Sequence, residues 1–365
     1  MYEKTIVLFD LDNTLFEAQY CRLSAVRKAL CETFGWTRFP WQDYFLLRDH
    51  SKVFDHCFRQ SFHHFWAAPE LVILTRALQK GIVGRQELLA NLSTLRWQLE
   101  SAESRYWRIG ELEAARKRIL QGSSFLRSLR RYVNSERANP KMAEIQNAYE
   151  KYENLVLYPR VKELIDAITG VPGVLAYVAT EGDYGQQKKK IEKLKLGDEF
   201  RGKILASELL KHNVFYLRSM RRITRSLRTG GYWRRAESHR YIVDDERLRL
   251  FKLCWGKRHG FFYRAILAAI ASNPTAPEIA LVNLDVSELL DSRKLSFGRI
   301  IMVGDRIDLD VNPIWNLYGK RSLTLRVLKG PYSKIVAPVN PPASNYREFS
   351  STGRALANLL DTIRG

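Results

Sequence analysis

The chain of 365 residues is too long for one small core, and its length favours two or three domains. Hydrophobic residues make up 45% and aromatic residues 12%, which excludes a disordered chain. The 59 lysines and arginines against 39 aspartates and glutamates give a formal net charge of +20, which favours anionic substrates or polyanionic partners such as nucleic acid.

The sequence shows no membrane or secretory segment. No uninterrupted apolar stretch approaches the ~20 residues that a membrane helix requires, and the apolar run at residues 6–9 is too short for a signal peptide. The cysteines show neither CxxC spacing nor the density of a disulfide framework. A reducing cytoplasm is therefore the expected location.

Short aliphatic runs with the pattern of buried parallel strands occur at residues 5–9, 174–179, 299–303 and 322–328. Long stretches with helical periodicity separate them, which predicts an α/β fold with a doubly wound parallel sheet. The first three runs end at polar residues, with Asp10, Thr180 and Asp305 following them. Ligands bind beyond the carboxyl ends of such strands, so these three residues are expected to form one site.

Two insertions are expected in this α/β core, which would comprise residues 1–16 and 155–365. Residues 17–154 contain few turn signals and many good helix formers, which predicts an inserted α-helical domain. Residues 211–249 form a second insertion that is rich in arginine. A final helix is predicted near residues 352–363.

The segment IVLFDLDNTLF, residues 6–16, carries the strongest chemical signal. Four apolar residues deliver Asp10 to the tip of a strand, and Asp12 follows two positions later. An i, i+2 pair in an extended or looped segment can point both carboxylates into one pocket. Such a pair suits phosphoryl transfer, because one carboxylate attacks phosphorus while the other protonates the leaving oxygen and later activates water.

This segment resembles the first motif of the haloacid dehalogenase (HAD) superfamily, hhhhDxDxT, and three further segments resemble the other motifs in the same order. VLAYVATEGD, residues 174–183, resembles the second motif. This resemblance implies that the Thr180 hydroxyl and nearby backbone N–H groups hold a phosphoryl oxygen.

The third motif is a lysine ahead of the last catalytic strand, and GKRHGFFYRAILAAI, residues 256–270, resembles it. The resemblance implies that Lys257 offsets the negative charge of Asp10 and of the phosphoryl group. Arg258 replaces the proline that usually follows this lysine, so Lys252 and Arg258 stand as alternatives for the same role.

RIIMVGDRIDLDV, residues 299–311, resembles the fourth motif, GDxxxxD, and supplies Asp305 and Asp310. The resemblance implies that Asp10, the backbone carbonyl of Asp12 and Asp305 bind Mg²⁺, with Asp310 supporting the site directly or through water. Hard carboxylates gathered at strand ends suit this cation. The resemblance also implies a HAD-like Rossmannoid core, with residues 17–154 as a cap domain that closes over the site.

The function implied by the resemblance is that of a magnesium-dependent phosphatase that forms an aspartyl-phosphate on Asp10. A phosphorylated metabolite or nucleotide is the expected substrate, and no membrane partner is expected. Asp12 supplies the acid/base that phosphate esters need and argues against dehalogenation, whereas mutase and phosphonate-cleaving activities stay open. Two alternatives are a phosphatase that acts on nucleic-acid ends and a non-catalytic binding protein on the same fold.

The nucleic-acid hypothesis depends on charge and on the second insertion. Four arginines recur on one face of a predicted helix, followed by two aromatic residues: Arg218, Arg221, Arg225, Arg228, Tyr232 and Trp233. A single-stranded nucleic-acid platform requires a basic surface beside aromatic rings. We favour the plainer interpretation of a solvated helix, or of arginines that hold an acidic partner or a phosphorylated small substrate.

Two further clusters are interpreted as structural. His56, His63 and His64 lie among aromatic residues at helix-compatible spacing and predict a packed aromatic face more than a metal site. The lysine run at residues 188–190 predicts a solvated helix face.

Overall fold

A computed structural model describes residues 4–50, 53–54, 68–105, 109–212, 257, 260–284, 297–329 and 338–365. The described residues divide into two compact units. One unit, which we call the core unit, runs to Gln19 and resumes at Leu155, and the other comprises Tyr20–Asn154.

The core unit contains a six-stranded sheet in the order β3-β2-β1-β4-β5-β6, and all neighbouring strands pair in parallel. Its strands are β1 (Thr5–Phe9), β2 (Val174–Thr180), β3 (Ile204–Ala206), β4 (Arg299–Gly304), β5 (Ser322–Val327) and β6 (Tyr346–Phe349). The chain first adds β2 and β3 on one side of β1 and then β4, β5 and β6 on the other side. The switch point of this doubly wound sheet therefore lies between β1 and β4. The predicted α/β class is confirmed.

The strand β1 lies at the centre of the sheet because both of its faces are apolar. Residues 6–9 are fully buried, and their side chains point alternately to the two faces. Ile6 and Leu8 belong to a cluster that includes Tyr263 and Ile266, whereas Phe9 packs edge-on against Phe200 at 5.9 Å between ring centroids. Burial on both faces is typical of a parallel strand that is covered by helices on each side.

Two strands were missing from the sequence prediction. The strand β3 has three residues, too few for a period to be recognised. The strand β6, Tyr346–Phe349, contains charged residues and lies half-exposed at the sheet edge. Neither strand carries the aliphatic run that identified β1, β2, β4 and β5.

Among its described residues, the second unit consists of α-helices and the short loops that join them. Its helices are α1 (Ala18–Phe34, beginning in the core unit), α2 (Trp41–Asp49), α3 (Pro69–Gln79), α4 (Arg85–Arg105), α5 (Ile109–Gly122), α6 (Ser124–Arg137) and α7 (Lys141–Tyr152). Leucine, valine and isoleucine side chains from these helices form its own hydrophobic core. The helix α6 begins at an N-cap where the Ser123 hydroxyl accepts a hydrogen bond from the backbone N–H of Leu126.

Helices cover the sheet of the core unit. They are α8 (Val161–Thr169), α9 (Tyr184–Lys193), α10 (Gly260–Ser272), α11 (Pro277–Asn283), α12 (Asn312–Tyr318) and α13 (Thr352–Arg364), with single 3₁₀ turns at Ser207–His212 and Gly319–Arg321 and a π-turn at Ile307–Val311. The final helix α13 was predicted at this place and packs against α8 and β5.

None of the described helices is both long and apolar enough to cross a membrane by itself, although the bent pair Phe262–Ser272 and Pro277–Asn283 reaches that length and composition together.

Several sequence predictions concern residues outside the described ranges. These are residues 213–249 of the arginine-rich insertion, the histidines His56, His63 and His64, and the alternative cations Lys252 and Arg258.

Candidate active site

Asp10 lies at the carboxyl end of β1, where its backbone N–H donates to the carbonyl of Val303 on β4 at 2.8 Å. The chain then makes a helical turn, in which the Leu15 N–H donates to the Leu11 carbonyl at 3.0 Å. Asn13 adopts a left-handed conformation in this turn (φ 62°), which asparagine tolerates better than most residues. The turn places the Thr14 hydroxyl 3.1 Å from Asp10 Oδ2, to which it donates.

The segment after Asp10 is tied to the rest of the core unit by contacts at Thr14 and Phe16. Phe16 forms an antiparallel bridge with Leu157, and the buried Thr352 hydroxyl, at the start of α13, donates to the Thr14 carbonyl at 2.6 Å. These contacts fix the backbone that carries Asp10.

Lys257, the residue that the third motif indicates, is buried beside Asp10 and Asp310. Its side chain is 2% exposed, and its ammonium donates to Asp10 Oδ1 and, at 2.7 Å, to Asp310 Oδ1. Burial alone would lower the pKa of Lys257, but the carboxylates of Asp10 and Asp310 outweigh burial and raise this pKa well above its ordinary value. Burial raises the pKa of Asp10 to about 6, against the opposing charge of Lys257. The lysine therefore remains a cation in contact with both acids.

The segment after β4 folds into a π-turn, Ile307–Val311, that turns Asp310 back toward the strand end. The Oδ2 atom of Asp310 accepts a hydrogen bond from the Arg306 backbone N–H at 3.0 Å. The buried Tyr263 hydroxyl, on α10, donates to the Leu309 carbonyl at 2.8 Å and supports the same turn. Single π-turns occur frequently at functional sites.

Gly304 is required by the close approach of Asp310. A Cβ atom at position 304 would lie 2.4 Å from the Cγ and Oδ2 atoms of Asp310. No side chain fits in that space, so the glycine of the GDxxxxD pattern has a steric role. It allows the Asp310 carboxylate to lie against the backbone at the end of β4.

Asp305 is 2% exposed, and its Oδ2 has no hydrogen-bond partner among the described residues. Burial and the nearby charges of Asp10 and Asp310 raise the pKa of Asp305 to about 9. An unpaired buried carboxylate is costly, because its charge has lost water without gaining a partner.

The three carboxylates of Asp10, Asp305 and Asp310 each offer an oxygen, and these atoms all lie within 4.8 Å of one another. When all three are ionised, the ammonium of Lys257 is the one cation among the described residues that pairs with them, and it offsets one of their three negative charges. A divalent cation with a preference for oxygen ligands would balance this charge and supply the missing partner of Asp305 Oδ2. The cluster therefore fits Mg²⁺.

Thr180 ends β2 and is buried. The register pairs Phe9 with Val178, so Thr180 lies at the same edge of the sheet as Asp10. The loop after it is held by two contacts: the Gly182 N–H donates to the Ser207 hydroxyl at 2.9 Å, and the Gln187 side-chain amide donates to the Glu181 carbonyl at 3.0 Å. The role of Thr180 in phosphate binding remains a prediction.

The carboxylate of Asp12 is 30% exposed and is not part of the three-carboxylate cluster. The Lys190 ammonium donates to both of its oxygens at 2.8 Å. Lys190 is 11% exposed, so the prediction of a solvated face for the lysine run was wrong at this position, although Lys188 and Lys189 are exposed.

The sequence contained a signal that could have identified Lys190. Gln187, Ile191 and Leu194 are buried and recur at helical spacing, and position 190 lies on the same face of α9. The high charge of the run concealed this periodicity. Tyr263 was also missed as a site residue, because a single tyrosine in an apolar helix carries no distinctive pattern. Thr14 is the threonine of the hhhhDxDxT pattern, but the sequence analysis assigned it no role.

The Gly304–Asp310 contact yields a stability prediction. We expect Gly304→Ala to lower the free energy of unfolding by about 1–3 kcal/mol, because the added methyl group must displace the Asp310 carboxylate or the backbone. Urea or thermal unfolding measures the change. Gly197→Ala is the matched control, since a Cβ at position 197 meets no atom within 4 Å. Equal midpoints for the two variants would show that position 304 accommodates a side chain.

No family model and no curated protein sequence matches the chain. Among solved structures, the chain is similar to YfnB of Bacillus subtilis, described as a HAD hydrolase bound to magnesium, with 13% identity, 100% of both chains covered and a TM-score of 0.41.

Two further solved structures show a similar likeness. A haloacid dehalogenase-like family hydrolase from Xanthomonas campestris has 13% identity and a TM-score of 0.39, with 99% of this chain and 97% of the other covered. L-2-haloacid dehalogenase from Xanthobacter autotrophicus has 11% identity and a TM-score of 0.37, with coverages of 100% and 99%. Likenesses this distant carry no argument about activity. In its four motifs and in the solved structures that it matches, the chain resembles hydrolases of the haloacid dehalogenase superfamily.

Proposed function

We propose that this protein is a magnesium-dependent phosphohydrolase in which the Asp10 carboxylate attacks the phosphorus of a phosphate ester. The observation that carries the proposal is the position of Asp10 at a strand end, in contact with the buried ammonium of Lys257 and beside two further buried carboxylates. Asp12 follows two residues later and supplies a second carboxylate that is not in this cluster.

The proposed reaction has two displacements. An oxygen of the ionised Asp10 forms a bond to phosphorus while the bond between phosphorus and the ester oxygen breaks. The leaving oxygen takes a proton from Asp12, which begins this step as a carboxylic acid. Asp12 then accepts a proton from water, whose oxygen attacks phosphorus and breaks the acyl-phosphate bond. Inorganic phosphate leaves, Asp10 is again ionised, and Asp12 again carries its proton.

Charge stabilisation explains why this site would favour phosphoryl transfer. Lys257 compensates part of the negative charge that Asp10 and the phosphoryl oxygens bring together. Asp10, Asp305 and Asp310 would hold Mg²⁺, which when bound supplies positive charge to the phosphoryl oxygens. The Thr14 hydroxyl orients Asp10 by its hydrogen bond to Oδ2.

Dehalogenation is the other chemistry named among the similar structures. A halide leaves as an anion and needs no proton, so that reaction has no use for an acid at position 12. Three clustered carboxylates also need a cation that halide displacement does not require. These features favour a phosphate ester as the substrate.

The size of the substrate stays open between small phosphorylated molecules and phosphorylated nucleic-acid ends. The net charge of +20 is compatible with both. A screen of phosphorylated metabolites, nucleotides and end-phosphorylated oligonucleotides would distinguish them. The closing motion of residues 17–154 as a cap also remains a prediction.

The first test of the proposal is the isosteric variant Asp10→Asn. We expect its turnover of p-nitrophenyl phosphate to fall by at least about 10³-fold, because phosphate monoesters hydrolyse extremely slowly without a nucleophile and catalytic groups. Steady-state kinetics with Mg²⁺ present measure the loss, and excess chelator should abolish wild-type turnover.

Asp308→Asn provides a matched control in the same chain segment. Its carboxylate pairs with Arg306 and lies outside the cluster of three carboxylates. We expect its activity to stay within about fivefold of wild type. A folded Asp10→Asn protein with near-normal turnover would exclude the proposed mechanism, and wild-type turnover in excess chelator would exclude the metal.

The second test concerns the pH dependence of Mg²⁺ binding. The pKa of Asp305 is raised to about 9, so the metal-free protein keeps a proton on Asp305 below this pH, and cation binding must displace that proton. We therefore expect the Mg²⁺ dissociation constant to fall, by up to about tenfold per pH unit, as the pH rises from 6 toward 9.

Isothermal titration calorimetry at several pH values in this range measures the effect without reference to activity. Asp305→Asn should bind Mg²⁺ more weakly, since a neutral amide is a poorer ligand for a hard cation, and its dissociation constant should vary less with pH. A wild-type dissociation constant that does not change between pH 6 and pH 9 would contradict the assignment of Asp305.

A further inference from the structure

Lys190 connects the acid/base candidate Asp12 to the loop that follows β2. Its ammonium is surrounded by three acceptors: Asp12 Oδ1 and Oδ2, each at 2.8 Å, and Gln187 Oε1 at 3.0 Å. Lys257, which occupies the motif position, contacts different carboxylates.

Gln187 holds the lysine in place from the other side. This side chain is 5% exposed, and its amide nitrogen donates to the Glu181 carbonyl at 3.0 Å. The amide therefore links Lys190 to the backbone just after Thr180, where the second motif predicts phosphate binding. Gly182 brings this loop close, since a Cβ at position 182 would lie 3.0 Å from Gln187 Nε2.

Stability alone gives a weak reason for this arrangement. The Asp12 side chain is 30% exposed, and an ion pair with such access to water contributes little to folding because solvent screens it. Lysine also loses considerable side-chain freedom when it is held in one conformation. The two hydrogen bonds from Lys190 do, however, restrict the rotation of the Asp12 carboxylate.

We propose that Lys190 is a positioning residue that fixes the Asp12 carboxylate relative to the loop after β2. This inference rests on the proposed function, in which Asp12 exchanges a proton with the leaving oxygen and with water. Displacement of a reacting group by about 1 Å can cost 10²-fold in rate, so a restrained carboxylate has a direct kinetic value. Lys190 itself exchanges no proton and forms no bond in the reaction.

Two phosphate esters that differ in the basicity of the leaving group test this proposal. Protonation of the leaving oxygen matters more for phenyl phosphate, which releases a basic phenolate, than for p-nitrophenyl phosphate, which releases a stabilised anion. The two esters have similar shapes, so the comparison isolates the leaving group. We expect Lys190→Met to lower kcat/KM by about 10–100-fold on phenyl phosphate and by less than about fivefold on p-nitrophenyl phosphate. Lys190→Arg, which keeps a cationic donor, should stay within about fivefold of wild type on both esters.

A double-mutant cycle shows whether Lys190 acts through Asp12. In an Asp12→Asn background, Lys190→Met should change kcat/KM on phenyl phosphate by no more than about twofold, since the group that it positions has already been lost. Lys189→Met is the matched surface control, because Lys189 is the exposed neighbour on the same helix. This control should leave both rates unchanged.

Each outcome decides the proposal. An equal loss on both esters, no loss on either, or a full additional loss in the Asp12→Asn background would overturn it. If Lys190→Met lowers the thermal midpoint, Lys190→Gln gives the same comparison with a neutral donor. Absence of wild-type turnover on both esters would refute the proposed function as well, whereas wild-type activity with a failed cycle would refute only the role of Lys190.

Discussion

The buried contact of the Lys257 ammonium with Asp10 and Asp310 is the interaction on which the site depends. Carboxylates this deeply buried would repel one another, and each would lose the stabilisation that water gives an anion. The Lys257 ammonium joins the end of β1 to the π-turn after β4, because it contacts one carboxylate from each. Gly304 leaves room for the Asp310 carboxylate to lie against the backbone. Tyr263, on α10, stabilises the same turn by its hydrogen bond to the Leu309 carbonyl.

The sheet determines how these groups meet. The strands β1 and β4 pair in parallel and in register, with Phe9 opposite Val303, so Asp10 and Asp305 follow at the same edge. Arg326, on β5, donates to the Asp305 carbonyl at 3.3 Å and fixes the backbone there. Asp305 is left with a buried oxygen that has no partner among the described residues. The sheet thus brings three buried carboxylates to one edge, an arrangement that fits a divalent cation.

The extent to which the sequence predicted this arrangement varies with the kind of signal. Aliphatic runs that end in Asp10, Thr180 and Gly304 identified the central strands, because burial on both faces leaves a continuous apolar segment. The short β3 and the polar β6 have no such segment and were missed. Lys190 was missed for another reason: its neighbours Lys188 and Lys189 are exposed, and only the periodicity of Gln187, Ile191 and Leu194 distinguishes it. Contacts such as Thr352 with the Thr14 carbonyl join residues that are far apart in the chain and leave no local pattern.

Chemical trapping of the intermediate tests the central claim most directly. Borohydride reduces an acyl phosphate to an alcohol and would convert a phosphorylated aspartate to homoserine, which peptide mass spectrometry locates. In protein quenched during turnover of a phosphate ester with Mg²⁺, we predict homoserine at position 10, and none when the ester is omitted. Turnover with unmodified Asp10, or conversion of Asp305 or Asp310 in its place, would contradict nucleophilic attack by Asp10.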